Sequence, residues 1–188
     1  LGEIYMWSIH YAQPKERKVS PDGKAGWQSD GSYLTPEGQR LAQNEFLFWQ
    51  GEVADFELSA DFRISGDPSA NSGIQFRSQK LPDGHAAGYQ ADLDQGAVWL
   101  GRIYDEHGRK LLVERGDRVS IAPDGRRWSE KFGEPADFAN LLRPAGEWNT
   151  YRILASASHL ELWINGRRVA VLDDHQSDAA DYSGRLGL

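Results

Sequence analysis

The sequence contains no cysteine, which excludes disulfide frameworks, cysteine-based zinc sites and a cysteine nucleophile. No apolar run approaches the roughly 18 residues of a membrane-spanning helix. Positive charge is in the minority, with 21 Lys and Arg against 28 Asp and Glu and a net charge of −7. Affinity for nucleic acid comes chiefly from Lys and Arg. Phosphate-binding and dinucleotide-binding glycine motifs and the G-x-S-x-G serine motif are also missing. We therefore expect no nucleic-acid partner and no transmembrane segment.

Aromatic residues, in contrast, are abundant: seven Trp, seven Tyr and seven Phe in 188 residues. That length favours one domain with a sizeable core. So many aromatic rings predict a heavily aromatic core, an aromatic-lined groove, or both. The chain opens at Leu1 without a basic-then-apolar leader, so we expect either that a targeting segment has been removed or that the sequence is a fragment.

The hydrophobic periodicity is that of β-strands. Residues 55–64 alternate between apolar and polar for ten positions, which predicts a half-buried antiparallel strand. Similar runs occupy residues 73–77, 88–93, 149–155, 159–164 and 167–172, and Asn165-Gly166 between the last two is a strong hairpin signal. Residues 136–142 predict one short helix, and the acidic residues 173–178 predict a solvated loop. The fold prediction is all-β: a single antiparallel β-sandwich over residues 22–188, with residues 1–21 as an N-terminal extension or edge strand.

Several motifs then occur in a fixed order. They are residues 22–27 (DGKAGW), 71–77 (NSGIQFR), 88–92 (GYQAD), 146–152 (GEWNTYR) and 162–166 (LWING). Together with the strand at 55–64 they resemble the 3-keto-disaccharide hydrolase domain family, over about residues 22–188. The resemblance implies a jelly-roll sandwich of the concanavalin A-like lectin/glucanase type, a small carbohydrate or glycoside as substrate, and a secreted or periplasmic location.

The sequence departs from the family pattern at two places. The family usually carries Glu-x-Gln-x-x-Asp after the tyrosine, whereas this chain has Gln90-Ala91-Asp92 and continues into residues 99–106 (WLGRIYDE). Family members also run on past the motif at residues 183–188 (SGRLGL), so we expect the last strand to be missing from this sequence.

The alternation predicts which polar side chains share a face. Gln75, Arg77, Gln90, Asp92, Glu161 and Trp163 all point away from their apolar neighbours, and we expect them to gather on the concave side of one sheet. Planar polar groups bind sugar hydroxyls, and an aromatic ring binds the C–H face of a pyranose. The candidate substrate-binding residues are Asn71, Gln75, Gln90, Trp99, Tyr104, Glu161 and Trp163. The alternative is an ordinary solvated face on which Arg77 and Asp92 merely pair. Trp27 and Trp148 are predicted to lie in the core.

The resemblance also implies a reaction on a sugar whose ring carries a ketone at carbon three. Cleavage would begin with removal of the acidified proton on carbon two and end with β-elimination at carbon one, with or without hydration. That chemistry needs a base and an electrophile for the enolate oxygen. Asp92 is the candidate base and Arg77 the candidate clamp. Glu106 and His107 are further catalytic candidates, because residues 104–107 are the densest titratable cluster; the alternative for them is a polar loop.

Neither a metal nor another cofactor is required by the sequence. If a divalent cation is bound, the candidate ligands are Asp92, Asp105, Glu106 and His107, since the other histidines show no metal-ligand spacing. Two other functions remain open. One is a non-catalytic carbohydrate-binding, lectin-like module. The other is an ordinary endoglucanase, which is disfavoured because no strand carries a Glu-x-Asp-x-x-Glu set. The sequence does not indicate an oligomeric state.

Overall fold

The alternating segments pair into two β-sheets in the computed structural model of the chain. It describes residues 3–12 (main chain only), 46, 48–65, 71–96 and 98–188. Within these ranges, twelve strands form a larger and a smaller sheet. In spatial order, the seven-stranded sheet contains β1 (Glu3–Ala12), β2 (Phe56–Ser65), β9 (Asn149–Ser156), β10 (His159–Ile164), β11 (Arg167–Asp174), β7 (Asp117–Ile121) and β8 (Arg127–Lys131). The five-stranded sheet contains β12 (Arg185–Gly187), β3 (Asn71–Lys80), β4 (Ala86–Asp94), β5 (Ile103–Glu106) and β6 (Lys110–Val113).

One apolar core lies between the two sheets. In β2 every second residue from Phe56 to Ile64 is buried, as the alternation predicts. Phe56 packs edge-on against Phe76 of the other sheet at 6.2 Å between ring centroids, and Phe76 stacks on Tyr89 at 5.6 Å. Burial of this apolar surface is the main stabilising term. The all-β sandwich prediction is confirmed.

The pairing is antiparallel with one exception. Strands β7 and β11 run parallel, with Val171 opposite Arg118 and Asp174 opposite Ile121. β7 follows β6, which belongs to the other sheet, so a crossover rather than a hairpin sets the direction in which β7 enters. The sequence predicted an antiparallel sandwich, which the other described strand pairs confirm, and did not indicate this one parallel pair.

The hairpin predicted at Asn165-Gly166 joins β10 and β11, and both residues have positive φ (49° and 80°). Asn165 also fixes the turn through its side chain, since its Oδ1 accepts the Thr150 N–H at 2.9 Å and its Nδ2 donates to the Leu141 carbonyl at 2.7 Å. The helix predicted for residues 136–142 is instead a single 3-10 turn, Pro135–Phe138. Pro135 starts this turn, and buried Phe138 anchors it to the core.

The remaining fold predictions concern the N-terminal segment, two tryptophans and one loop. β1 lies at the edge of the seven-stranded sheet, paired with β2. The motif at residues 22–27, with Trp27, lies outside the described residues. Trp148 is half-buried, with the Arg63 guanidinium 5.0 Å from its ring centroid, so it is not a core residue as predicted. The predicted loop at residues 173–178 begins two residues too early, because Asp173 and buried Asp174 complete β11.

Candidate functional site

Polar side chains line the outer face of the five-stranded sheet. Gln75, Gln90 and Tyr104 form a row across β3, β4 and β5, and Asp92 lies opposite Gly73 in the neighbouring pair. Glu106 belongs to the same side, because it lies opposite Gly88, one position beyond inward-facing Tyr89. We call this surface, with Gln75, Gln90, Asp92, Tyr104 and Glu106, the small-sheet outer face. Asn71, the exposed first residue of β3, lies at its margin opposite Asp94.

Asp92 is the unusual group on the small-sheet outer face. Its side chain is only 3% exposed. Its Oδ1 accepts a hydrogen bond of 2.6 Å from Gln90 Nε2, whereas its Oδ2 is buried and has no hydrogen-bond partner among the described residues. Burial raises the pKa of Asp92 to about 7, although the Gln90 hydrogen bond and the Arg102 charge both act to lower it. A carboxyl group with a pKa near neutrality is well suited to proton transfer.

A short connection between β4 and β5, described at residues 95–96 and 98–102, brings an aromatic ring beside this surface. Asp94 fixes the loop, because its carboxylate accepts the Gly96 N–H at 2.8 Å and the Trp99 N–H at 2.6 Å. The Trp99 ring lies perpendicular to Tyr104 at 6.2 Å, and the Arg102 guanidinium lies 4.7 Å from the Trp99 centroid. Trp99 remains 40% exposed. The sequence placed Trp99 on a strand and residues 104–106 after it, but Trp99 is on the loop and those residues form β5.

The prediction that Arg77 lies on the outer face is wrong. Its side chain is 1% exposed and binds main-chain oxygens of three other segments. Nε donates to the Ala54 carbonyl at 2.8 Å, and Nη1 donates to the Ala157 carbonyl at 2.6 Å and the Asp181 carbonyl at 3.2 Å. A bulge between Phe76 and Gln79 interrupts the alternation and turns Arg77 inward, with φ at 49°. Arg77 therefore joins the two sheets at one end of the sandwich and does not reach Asp92.

Glu161 and Trp163 lie on the other sheet, on its outer face. Their outward orientation is as the alternation predicts, but the two layers of the sandwich separate them from Asp92. Trp163 Nε1 donates to Glu161 at 3.1 Å, and Arg152 and Arg168 flank the ring at 5.2 and 6.0 Å. The prediction that they join Gln75 and Asp92 in one site is wrong.

This second surface, which we call the large-sheet outer face, is a network of ion pairs and hydrogen bonds. The ion pairs are Glu57–Arg152 at 2.7 Å, Asp173–Arg118 at 3.0 Å and Glu161–Arg168 at 3.4 Å, and the His159 ring contacts Asp173 at 2.6 Å and Glu161 at 3.3 Å. The hydrogen bond from Arg152 holds the pKa of Glu57 below its usual value. Partial burial alone would raise the pKa of Asp173, but its bonds to His159 and Arg118 outweigh burial and lower it. These carboxylates are paired with basic side chains, so we assign them a structural role.

The four predicted metal ligands do not meet. Asp105 faces the interior opposite Tyr89 and forms an ion pair with Arg109 at 2.7 Å. His107 is exposed in the turn after β5, with its ring 5.3 Å from that of His85. Asp92 and Glu106 remain on the small-sheet outer face. In the ranges that the structure describes, no three His, Asp or Glu side chains are placed to share an ion.

Asp105 instead belongs to a buried polar network between the sheets. Arg109 bridges Asp105 and Asp174, at 2.7 and 2.8 Å, and the Tyr89 hydroxyl donates to Asp174 at 2.6 Å. Burial and the Asp174 carboxylate raise the pKa of Tyr89 well above its usual value. The network satisfies the charges of Asp105 and Asp174 away from solvent, which is a structural role.

Sequence reasoning missed two residues, one that acts on Asp92 and one that is hydrogen-bonded to Gln75. Arg102 is the cation whose charge acts on the Asp92 carboxyl, and Ser78 is hydrogen-bonded to Gln75 at 2.8 Å. Arg102 lies within the motif at residues 99–106, so its position in that motif was a usable signal. Ser78 carries no such signal, because the bulge in β3 decides where it points.

The fold and the site together define a β-sandwich protein with one candidate proton-transfer carboxyl on an aromatic and amide-rich sheet face. The chain belongs to the family described as the 3-keto-alpha-glucoside-1,2-lyase-like domain, whose sequence profile matches residues 7–188. The resemblance drawn from the motifs is thereby confirmed.

Two curated bacterial proteins also share sequence with the chain. The nickel-cobalt-cadmium resistance protein NccA of Alcaligenes xylosoxydans xylosoxydans is 54% identical over 207 residues, which cover 90% of this chain and 18% of that protein. The nickel and cobalt resistance protein CnrA of Cupriavidus metallidurans is 50% identical over 42 residues, covering 22% of this chain and 4% of that protein. The chain thus spans less than a fifth of the length of either relative.

Two solved structures of low sequence identity are similar to this chain. The carbohydrate-binding module CBM66 from Bacillus subtilis has a TM-score of 0.48 and 15% identity, covering 77% of this chain and 74% of that one. A glycosyl hydrolase described as putative, from Parabacteroides distasonis, has a TM-score of 0.46 and 18% identity, covering 78% of this chain and 75% of that one.

Among the residues described here, no helix has the length and apolar character needed to cross a bilayer.

Proposed function

We propose that this domain cleaves 3-keto-glycosides on the small-sheet outer face, with Asp92 as the base. The family to which the chain belongs is described by lyase chemistry on a 3-keto-glucoside. The observation that carries the proposal is the Asp92 carboxyl, which is buried, whose Oδ2 has no hydrogen-bond partner in the part of the chain that the structure describes, and whose pKa is raised to about 7. Such a group is ionised often enough to accept a proton at neutral pH, and is basic enough to hold it.

The proposed reaction is an elimination. The Asp92 carboxylate takes the proton from carbon two, and the electron pair of that C–H bond forms an enolate with the ketone at carbon three. The enolate collapses to a double bond between carbons one and two, while the bond from carbon one to the glycosidic oxygen breaks with its electron pair. The departing oxygen is protonated from solvent. Addition of water to carbon one would then give net hydrolysis.

The neighbouring groups supply the remaining needs of this chemistry. Arg102 takes the electrophilic role first assigned to Arg77, because its positive charge acts on the site and Arg77 is buried elsewhere. Trp99 and Tyr104 offer aromatic surface to the C–H face of the sugar. Glu106 and Asn71 lie on the same face, and we assign them hydrogen bonds to sugar hydroxyls.

Incubation of the protein with a 3-keto-glucoside, with and without a chelator, tests the proposal. We expect release of the aglycone by the wild type and loss of release in Asp92→Asn. Loss of release on chelation alone would assign a divalent cation to the reaction, which the sequence leaves as a prediction. A secreted or periplasmic location also stays a prediction, and cell fractionation tests it.

A non-catalytic sugar-binding module is the second candidate. The exposed Trp99 ring beside Tyr104 favours it, because such a platform serves binding without turnover. Unchanged 3-keto-glycoside in every condition, together with sugar binding that depends on Trp99, would establish the module and reject the enzyme.

A further inference from the structure

A chain of hydrogen bonds runs across β3 and β4 and ends on Asp92. The Ser78 hydroxyl donates to Gln75 Oε1 at 2.8 Å, and Gln75 Nε2 donates to Gln90 Oε1 at 2.5 Å. Gln90 Nε2 in turn donates to Asp92 Oδ1 at 2.6 Å. Each contact pairs one donor with one acceptor, so the chain has a direction that leads to the carboxyl group.

The surroundings hold this chain in place. Gly73, opposite Asp92, leaves room for Gln90, since a Cβ at that position would lie 2.4 Å from Gln90 Cγ. Gln75 is completely buried. The Ser78 hydroxyl is buried too and lies 3.1 Å from the Phe76 carbonyl and 3.2 Å from the Tyr89 carbonyl. The one hydroxyl hydrogen of Ser78 is therefore shared among three acceptors, whereas Gln75 and Gln90 each bond through both ends of their amides.

We propose that Ser78, Gln75 and Gln90 are positioning residues that deliver one N–H to Asp92 Oδ1 and thereby make Oδ2 the atom that takes the substrate proton. An amide side chain presents its oxygen and its nitrogen to opposite sides. Because Gln75 engages the Gln90 oxygen, the Gln90 nitrogen must face Asp92. This inference rests on the proposed function for the identity of the proton donor, but the hydrogen-bond chain itself does not depend on a substrate.

The chain also explains how a buried carboxyl group stays ionisable. The groups that act on the charge of Asp92 are Gln90 by its hydrogen bond, Arg102 by its positive charge, and Glu106 and Asp94 by their negative charges. From β9, the Tyr151 hydroxyl contacts the Asp92 main-chain carbonyl at 3.5 Å. Gln90 and Arg102 oppose the effect of burial. Loss of the Gln90 donor should therefore leave Asp92 protonated at neutral pH.

An NMR titration of the Asp92 carboxyl ¹³C signal in the whole polypeptide tests the hydrogen-bond chain directly. Gln90→Leu keeps the bulk of the side chain and removes the donor, so we expect the pKa of Asp92 to rise by about 1, a tenfold fall in its acid dissociation constant. Gln75→Leu does not touch Asp92 but releases the Gln90 amide, and should raise the same pKa by a smaller amount. Gln79→Leu, on the exposed part of β3 outside the chain, is the matched control and should leave it unchanged.

An unchanged pKa would overturn the proposal. If Gln90 only covers Asp92, Leu covers it as well and the pKa stays at its wild-type value, and if Gln75 has no part, its replacement changes nothing. Should Gln90→Leu fail to fold, Ser78→Ala reaches Asp92 only through the two amides and should still raise the pKa slightly. In turnover assays the acid limb of the pH profile should move with the titrated value. A wild type that cleaves no 3-keto-glycoside rejects the proposed function, while the titration still decides the hydrogen-bond chain.

Discussion

The outer faces of the two sheets carry the same kinds of residue but hold them in different states. On the large-sheet outer face, Asp173 and Glu57 each have a cationic partner within 3.1 Å, and their pKa values lie below the usual range. On the small-sheet outer face, Asp92 is buried and has a raised pKa, and one of its oxygens lacks a hydrogen-bond partner within the described ranges. Residue type therefore does not separate a structural surface from a chemical one. The difference lies in whether the carboxylate is satisfied.

The largest expected effect is on turnover. Asp92→Asn keeps the shape of the side chain but removes the base, so we expect turnover of a 3-keto-glucoside to fall by roughly 10²- to 10⁴-fold. Glu161→Gln is the matched carboxylate-to-amide change on the large-sheet outer face and should leave turnover unchanged. Initial rates at saturating substrate measure both. Equal losses in the two variants would remove the distinction between the faces.

The second effect is on the pH dependence of stability. The pKa of Asp92 is about 7 in the folded chain against 3.8 for an ordinary Asp, so ionisation is disfavoured in the folded state. The free-energy cost of ionising Asp92 in the folded state is absent below pH 4, grows as pH rises and is complete above pH 7. The free energy of unfolding of Asp92→Asn relative to wild type should therefore rise by about 4 kcal/mol between pH 4 and pH 8. Urea denaturation at the two pH values measures it, and a constant difference would contradict the raised pKa.

The third effect is on sugar affinity. Trp99 is 40% exposed beside Tyr104, whereas Trp163 is flanked by two guanidinium groups on the other sheet. We expect Trp99→Ala to weaken binding of a 3-keto-glucoside about tenfold, as the loss of an aromatic contact does. Trp163→Ala should leave the affinity unchanged. Calorimetry in the Asp92→Asn background, which prevents turnover, gives both affinities. A larger loss for Trp163→Ala than for Trp99→Ala would move the sugar-binding surface to the large-sheet outer face.

The smallest effect is on the large-sheet outer face itself. The pKa of Asp173 is lowered in the folded chain, so its contribution to stability is present above the ordinary Asp pKa and is lost as pH falls through the lowered value. Asp173→Asn should destabilise the protein by under about 1 kcal/mol at pH 7, because its partners are partly exposed. At pH 2 the difference should disappear. A larger destabilisation at pH 2 than at pH 7 would contradict the lowered pKa of Asp173.

Local patterns predicted much of the fold. Alternation over residues 55–64 gave β2 within one residue at each end, and Asn165-Gly166 gave a hairpin with the expected positive φ values. These signals work because each depends on a few neighbouring residues. The parallel pairing of β7 and β11 could not be predicted, since it depends on a crossover between sheets.

The site was only partly predictable for a similar reason. Alternation tells which residues of a strand share a side, and it placed Gln75, Gln90 and Asp92 together. It does not tell which sheet a strand joins, so Trp163 was assigned to the wrong surface. One extra residue in a bulge reverses the pattern, which is why Arg77 was expected outside and lies inside.

The inward turn of Arg77 has a consequence for how the protein unfolds. The carbonyl groups it binds belong to residues 23, 80 and 104 positions away in the chain. Closing such long loops costs chain entropy, so we expect the guanidinium to reach its partners after the local hairpins have formed. Contacts made on the native side of the folding barrier slow unfolding more than they speed folding. We therefore expect replacement of Arg77 to shorten the lifetime of the folded sandwich mainly by speeding unfolding.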